Sequence, residues 1–339
     1  TAYEIKECDW SSDVCSSDLM TLRAIIIAVA ALLAPCAAFA QFGSQPIKIL
    51  YGFAPGSGGD LLARIVAEKM QAALGVSVVV ENRTGGGGAI AMRGLKTAAP
   101  DGNTIYIGPN GPTTIIPLFD PKAGYDPDVD FAPLAQLVTY EFACAVAKNV
   151  PAKDLRELIA WLKANPDKGA YGTPAAGSSL HFLGVKLAAD TKLDLRAVHY
   201  RGSMSAVADA MSGVLPVLCL PLVDVIEQHK AGNVRIVATS DAERSIFVPE
   251  APTFAEQGID INVTGWYGAF APARTPQAVV DRLNKVMTET VQAPDMKQRL
   301  FNMGFKSSGT TASQLDQIRK AETDFWRPIV KASGFKAEE

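Results

Sequence analysis

Residues 47–60 read Ile47-Lys48-Ile49-Leu50-Tyr51-Gly52-Phe53-Ala54-Pro55-Gly56-Ser57-Gly58-Gly59-Asp60. The apolar, β-prone start reads as a strand from Ile47 to Phe53, and Pro55 with three glycines ends it. Immediately after, Leu61, Leu62, Ile65, Val66, Met70, Ala73 and Leu74 fall on one face at helical spacing. A strand that turns directly into an amphipathic helix is the repeating unit of an α/β protein.

The unit recurs along the chain. Val76–Val80 is a continuous apolar strand, the glycine tract Gly85–Gly88 opens a second helix ending near Ala98, and Thr104–Gly108 is the next strand. After a Pro- and Asp-rich connection from Asp120 to Pro133 comes a long β-prone run, Leu134–Ala147. Helices are expected at 152–164, 178–189, 203–212 and 223–231, with strands near 170–173, 196–200, 214–220 and 234–240. A β-prone stretch, Val263–Ala271, leads to helices at 276–291, 294–302 and 311–331. Strand–helix alternation with apolar strands predicts a parallel sheet covered on both faces. No low-complexity tether or fixed-period repeat interrupts it, so two lobes would be joined by strands, as in a hinge.

The turn after Tyr171 has the same build as the first: Tyr171-Gly172-Thr173-Pro174-Ala175-Ala176-Gly177-Ser178-Ser179-Leu180-His181. A helix start leaves backbone N–H groups without partners and carries a partial positive charge, so it suits an anion. Glycines allow close approach, and Ser57, Thr173, Ser178 and Ser179 add hydroxyl donors. Two such turns facing each other would hold a carboxylate without Arg or Lys. Glycine at a strand–helix turn also serves tight geometry alone, and that reading stands beside the other. Asp60 reads as structural, since an acid in the first turn complements the helix but repels a bound anion. His181 reads as a packed or helix-start residue.

The ends carry processing signals. Met20-Thr21-Leu22-Arg23, the uncharged run Ala24–Leu33 and Ala38-Phe39-Ala40 have the form of a secretory signal peptide over residues 20–40. The apolar run is short for a membrane span, which needs roughly 20 residues. Leu33-Ala34-Pro35-Cys36 has the outline of a lipoprotein site, but proline before Cys36 fits it poorly. Residues 1–19 precede this signal without any pattern of their own and read as a non-native leader.

Removing residues 1–40 takes two basic residues from 32 and five acidic ones from 35, leaving a balance of zero. A neutral chain gives no electrostatic reason to expect nucleic acid or anionic lipid as a partner. Cys144 and Cys219 remain, and nothing in their spacing argues for a disulfide. No CxxC, helical His pair or acidic calcium loop is present, so neither a metal nor a cofactor is expected. Enzyme templates fit poorly too: there is no G-x-S-x-G elbow, and the first turn lacks the Gly-Lys-Ser/Thr of a phosphate loop.

A series of marks then extends over nearly all of residues 41–339. It comprises Phe53-x-Pro55-Gly56-x-x-x-Asp60, Val80-Glu81-Asn82-Arg83 with the glycine tract, Ala99-Pro100-Asp101-Gly102, Tyr125-Asp126-Pro127 before Asp130-Phe131-Ala132-Pro133, and Gly177-Ser178-Ser179-x-His181. Tyr200-Arg201-Gly202-Ser203, Lys230-Ala231-Gly232, Pro249-x-x-Pro252-Thr253 and Gly265-Trp266-Tyr267-Gly268 complete it. In this order the chain resembles the tripartite tricarboxylate transporter substrate-binding proteins, the Bug family of bacterial uptake receptors. The resemblance implies a two-lobed periplasmic-binding-protein type II fold of class α/β, two Rossmann-like sheets joined by β-strand hinges. Residues 46–144 and 266–339 would form lobe 1 and residues 145–265 lobe 2. It implies a periplasmic, monomeric receptor, not an enzyme, that hands a small carboxylate to membrane transporter subunits. The ligand residues carried over are Phe53, Ala54, Ser57, Gly58, Thr173, Ala175, Ser178 and Ser179, with Gly111 and Thr113 in addition.

Two departures bear on specificity. The family often has Gly where this chain has Ser57. Many members read Asp-Val-x-Phe-Asp-Asn where this chain has Pro216-Val217-Leu218-Cys219-Leu220-Pro221, so two acids are lost. A buried acid must be paired and so favours ligands with an amine or hydroxyl. Its replacement by Leu220 points to an apolar or aromatic acid. The other functions weighed are a sensing domain that signals to a membrane partner and a small hydrolase.

Overall fold

The computed structural model describes residues 45–336. The signal peptide, the leader and Cys36 lie outside the described residues. Strand β1 (Ile47–Tyr51) passes through a turn into α1 (Gly58–Leu74), followed by β2 (Val78–Asn82), a 3-10 turn at Gly86–Gly88, α2 (Ala89–Lys96) and β3 (Thr104–Pro109). Two short helices, α3 (Gly111–Thr114) and α4 (Ile116–Phe119), precede the 17-residue strand β4 (Phe131–Ala147). Then come α5 (Leu155–Ala164), β5 (Ala170–Thr173), α6 (Ser179–Thr191), β6 (Arg196–His199), α7 (Ser203–Met211), β7 (Val217–Pro221), α8 (Leu222–Lys230) and β8 (Val234–Thr239). The chain ends with β9 (Thr264–Pro272), α9 (Gln277–Gln292), α10 (Pro294–Asn302), β10 (Lys306–Ser307) and α11 (Ala312–Ser333).

The strands make two α/β sheets that share β4. In the first, β1 lies between β2 and β3, all parallel; β9 then joins β3 to the first part of β4, antiparallel to both. In the second, the last part of β4 lies between β7 and β8, antiparallel to each, and β5 and β6 continue parallel to β7. The change of partner is abrupt: Glu141 pairs with Thr264 of β9, and Phe142 with Pro221 of β7. The expectation of wholly parallel sheets is therefore corrected. The strands that run between the sheets enter each from the far side and so oppose their neighbours.

Local corrections have local causes. On α1 the buried stripe is Leu62, Ala63, Ile65, Val66, Ala67 and Met70, while Leu61 is 46 % exposed and Ala73 lies on the solvent side. The helix is rotated from the expected face because small Ala63 and Ala67 let it sit close to the sheet. Helix α5 starts at Leu155 rather than 152, since the Asp154 side chain accepts the Glu157 N–H at 2.8 Å and caps it. Cys144 and Cys219 are opposite one another across β4 and β7, buried and unbridged. Among the described residues no helix is long and apolar enough to cross a membrane.

Candidate functional site

Five strand–helix turns meet over the C-terminal ends of β1, β3, β5, β6 and β7. A crevice outside strand ends is where open α/β sheets place ligands. Here the turns enclose a cavity of about 40 Å³. The first sheet contributes Tyr51, Phe53 and Ser57 from the first turn, Pro109, Asn110, Gly111 and Pro112 after β3, and Tyr267 from β9. The second contributes Pro174, Ser178, Ser179 and Leu180 from the turn before α6, Gly202 and Ser203 at the start of α7, and Pro221 and Asp224 at the start of α8. Tyr140 of β4 forms part of the wall, with its ring centroid 5.1 Å from that of Tyr267.

Phe53, Gly87 and Pro174 separate this cavity from an outer one of about 670 Å³. The outer space is walled by the glycine tract, Ala175, Ala176, His199, Tyr200 and Arg201. Arg201, His199 and Asp120 line the outer space, whereas among the described residues the inner wall has no Arg, Lys or His, and its one carboxyl is Asp224.

Of the expected ligand residues, Phe53, Ser57, Gly111, Ser178 and Ser179 line the inner cavity and Ala175 the outer one. Ala54, Gly58, Thr113 and Thr173 line neither. Instead, the Ala54 N–H donates to the Arg201 carbonyl at 3.2 Å, and the Gly58 N–H to Asp224 Oδ1 at 2.7 Å. Both bonds tie the first sheet's turn to helix starts of the second. Thr113 is buried and its hydroxyl donates to the Asn110 carbonyl. The Thr173 hydroxyl donates to the Ala175 carbonyl and adjoins His199 Nδ1 at 3.1 Å.

The serine hydroxyls largely serve the helices. Ser57 Oγ accepts from Asp60 N–H and hydrogen-bonds the Tyr51 hydroxyl at 2.9 Å. Ser178 Oγ accepts from His181 N–H and donates to the Ala175 carbonyl. Each is an N-cap, which satisfies one amide of its helix. Ser179 differs: its oxygen accepts from Asn110 Nδ2 at 3.0 Å, which leaves its proton for another acceptor. The first-turn amides of Ser179 and Leu180, which have no acceptor within the helix, adjoin the cavity.

Buried ionisable groups frame the site. Asp60 takes hydrogen bonds from Gly56 N–H, Arg64 and Asn82. Burial raises its pKa, but those bonds outweigh burial and hold it below the usual carboxylate range. Asp60 thus builds the turn and stays out of the cavity. His181 is buried, its Nδ1 accepts the Gly177 N–H, and its ring lies 4.6 Å from that of His199. Burial first, then the neighbouring imidazole, lowers its pKa from 6.5 to about 4, so it is neutral near pH 7. Asp224 is deep in the crevice, partly accessible through the cavity it lines. Burial pushes its pKa up, against the hydrogen bonds from Ser203 and Gly58. Behind Asn110, Glu322 of α11 accepts from Asn110 Nδ2, Trp266 Nε1 and Trp326 Nε1. Burial is stronger than these bonds and raises it from 4.5 to about 7.

Sequence reading did not find Asn110, Asp224 or the tyrosines. Ser203 and Tyr267 stood within quoted marks without a role, and the signal for Ser203 was available: Gly202-Ser203 is another glycine–serine helix start. Asp224 gave no local signal, because its role comes from a partner 166 positions away. Leu220, in contrast, is buried in β7 opposite Ala143 and does not line the cavity.

Comparisons with known proteins agree with this geometry. The family model described as "Tripartite tricarboxylate transporter family receptor" matches residues 62–335. A protein encoded in the tcbD-tcbE intergenic region of Pseudomonas sp. (strain P51) is 33 % identical over 291 residues, covering 85 % of this chain and 86 % of its own. The structure of MatC from Rhodopseudomonas palustris with bound malate is 28 % identical, with a TM-score of 0.81, over 85 % of this chain and 100 % of that one. The periplasmic binding protein BugD is 28 % identical, with a TM-score of 0.83, over 88 % of this chain and all of that one.

Proposed function

The chain belongs to the tripartite tricarboxylate transporter receptor family, and from that premise we propose that it captures a small organic carboxylate in the inner cavity and delivers it to a tripartite tricarboxylate-type membrane transporter. The family and its structural neighbours are periplasmic binding proteins of two-lobed α/β fold. For this chain we place the lobes at residues 46–144 with 266–339 and at residues 145–265, and export under a signal peptide at residues 20–40. The observation that carries the reading is that two helix starts, one on each sheet, border one cavity whose wall, among the described residues, has no cationic side chain. An organic acid there would be met by the amides of Ser179 and Leu180 and the Ser179 hydroxyl.

The aromatic and proline-rich wall suits an apolar flank on that acid. The case for a wholly apolar or aromatic acid rested on Leu220, which is not on the wall, while Asp224 is. A thermal-shift screen of mono-, di- and tricarboxylates tests the binding. A ligand at a hundred times its Kd adds about 2.7 kcal/mol to stability, or several degrees of melting temperature for a chain of this size. No shift with any acid, together with no binding in equilibrium dialysis, would remove the receptor reading. Delivery is tested by uptake into vesicles bearing the membrane subunits, which should require the added receptor.

A further inference from the structure

Asp224 places a carboxyl group in a cavity otherwise suited to an anion. Among the described residues its side chain is the one carboxyl on the inner wall, and no Arg, Lys or His shares that wall. Oδ1 accepts the Gly58 N–H at 2.7 Å, and Ser203 hydrogen-bonds the same carboxyl. The group therefore occupies the amide at the start of α1 that a ligand carboxylate would otherwise take. Such an acid belongs instead at the opposite helix start, beside Ser179 and Leu180. The part of the ligand that reaches across the cavity then meets Asp224.

A carboxylate accepts about four hydrogen bonds, so Gly58 and Ser203 leave acceptor capacity facing the ligand. An apolar group there would strip water from the carboxylate and return no hydrogen bond, which is costly. A hydroxyl would satisfy it, and an ammonium would also offset its charge. Sites built to hydrogen-bond a polar substituent reject analogues that lack it.

We propose that Asp224 is a specificity-determining residue that selects carboxylic acids bearing a hydroxyl or ammonium group over their unsubstituted parents. This rests on the small-carboxylate reading above.

The test is isothermal titration calorimetry with two matched triads: succinate, malate and aspartate, and 3-phenylpropanoate, 3-phenyllactate and phenylalanine. Each is titrated into the full chain and into Asp224→Ala and Asp224→Asn, with circular dichroism confirming the fold. In the unaltered protein, the hydroxyl or ammonium member of the binding triad should bind at least tenfold more tightly than its parent. That gap should fall below about threefold in Asp224→Ala. Asp224→Asn keeps the shape and one acceptor, so it should reduce the ammonium member's advantage more than the hydroxyl's, and it serves alone if Asp224→Ala does not fold. Equal binding of parent and substituted acids by the unaltered protein overturns the proposal, as does a gap that survives both variants. Failure of every acid in both triads to bind would instead overturn the carboxylate reading, and this proposal with it.

Discussion

Ser178 and Ser179 are adjacent and chemically alike, yet the structure gives them different work. Ser178 caps α6 through His181 N–H, so Ser178→Ala should lower stability by about 1 kcal/mol, measured by urea denaturation. Ser179→Ala also removes an acceptor of Asn110 Nδ2, so binding tells the two variants apart: Ser179→Ala should weaken carboxylate affinity more than Ser178→Ala, because the Ser179 hydroxyl keeps a proton to donate beside the cavity. An equal loss of affinity in both variants would contradict that division. His181 adds a pH dependence. Its folded pKa, about 4, lies below the ordinary 6.5, so the unfolded chain binds more protons between those values. The stability it contributes is fully present above pH 6.5 and is lost as pH falls toward 4. Melting curves of His181→Gln across that window should show a shallower acid decline than the unaltered protein.

Among the elements, α11 carries the opposite dependence. Glu322 is raised to about 7, so the folded state binds the extra proton, and its contribution is fully present below pH 4.5 and lost as pH rises through 7. Tyr140 faces it, and Asn110, Trp266 and Trp326 donate to it. Glu322→Gln should lower stability, since one amide oxygen replaces two acceptors among three donors. It should also steepen the rise of stability between pH 4.5 and 6.5, because a slope opposed to that of His181 is removed. An unchanged slope would show that Glu322 titrates normally. The elements themselves were largely legible in the sequence: strands at 170–173 and helices at 294–302 are found where apolar periodicity places them. What could not be read was long-range pairing. Nothing in residues 264–272 announces that β9 inserts between β3 and β4, and nothing near Asp224 announces Gly58. Residues 111–119 were missed because Pro112 and Pro117 mark helix starts too short to show a period.

For the molecule as a whole, the turns of the two sheets are bonded directly to one another. Three bonds cross the crevice between the sheets: Ala54 to Arg201, Gly58 to Asp224 and Asn110 to Ser179. At the other side, Lys306 of β10 reaches Asp241, just past β8, at 2.8 Å and Glu141 at 3.2 Å. A Cβ on Gly58 would lie 2.2 Å from Val223 Cγ2, so Gly58→Ala should wedge the crevice open. Small-angle scattering without ligand should show a larger radius of gyration, with the melting transition retained. An unchanged radius would mean that Val223 simply rotates aside. The two converging turns were legible in their glycines and serines, but how tightly they are latched was not, because backbone bonds such as Ala54 to Arg201 leave no trace in residue type.

The placement of β9 also governs when the fold can be assembled. It is the bridge between β3 and β4, and Phe131 must wait for Pro272 to find its partner. Pairings so distant along the chain close slowly, so the first sheet stays incomplete until most of the polypeptide has left the ribosome. Until then β3 and the first part of β4 keep an unpaired edge each, so any machinery that needs a slack chain has that interval in which to hold it.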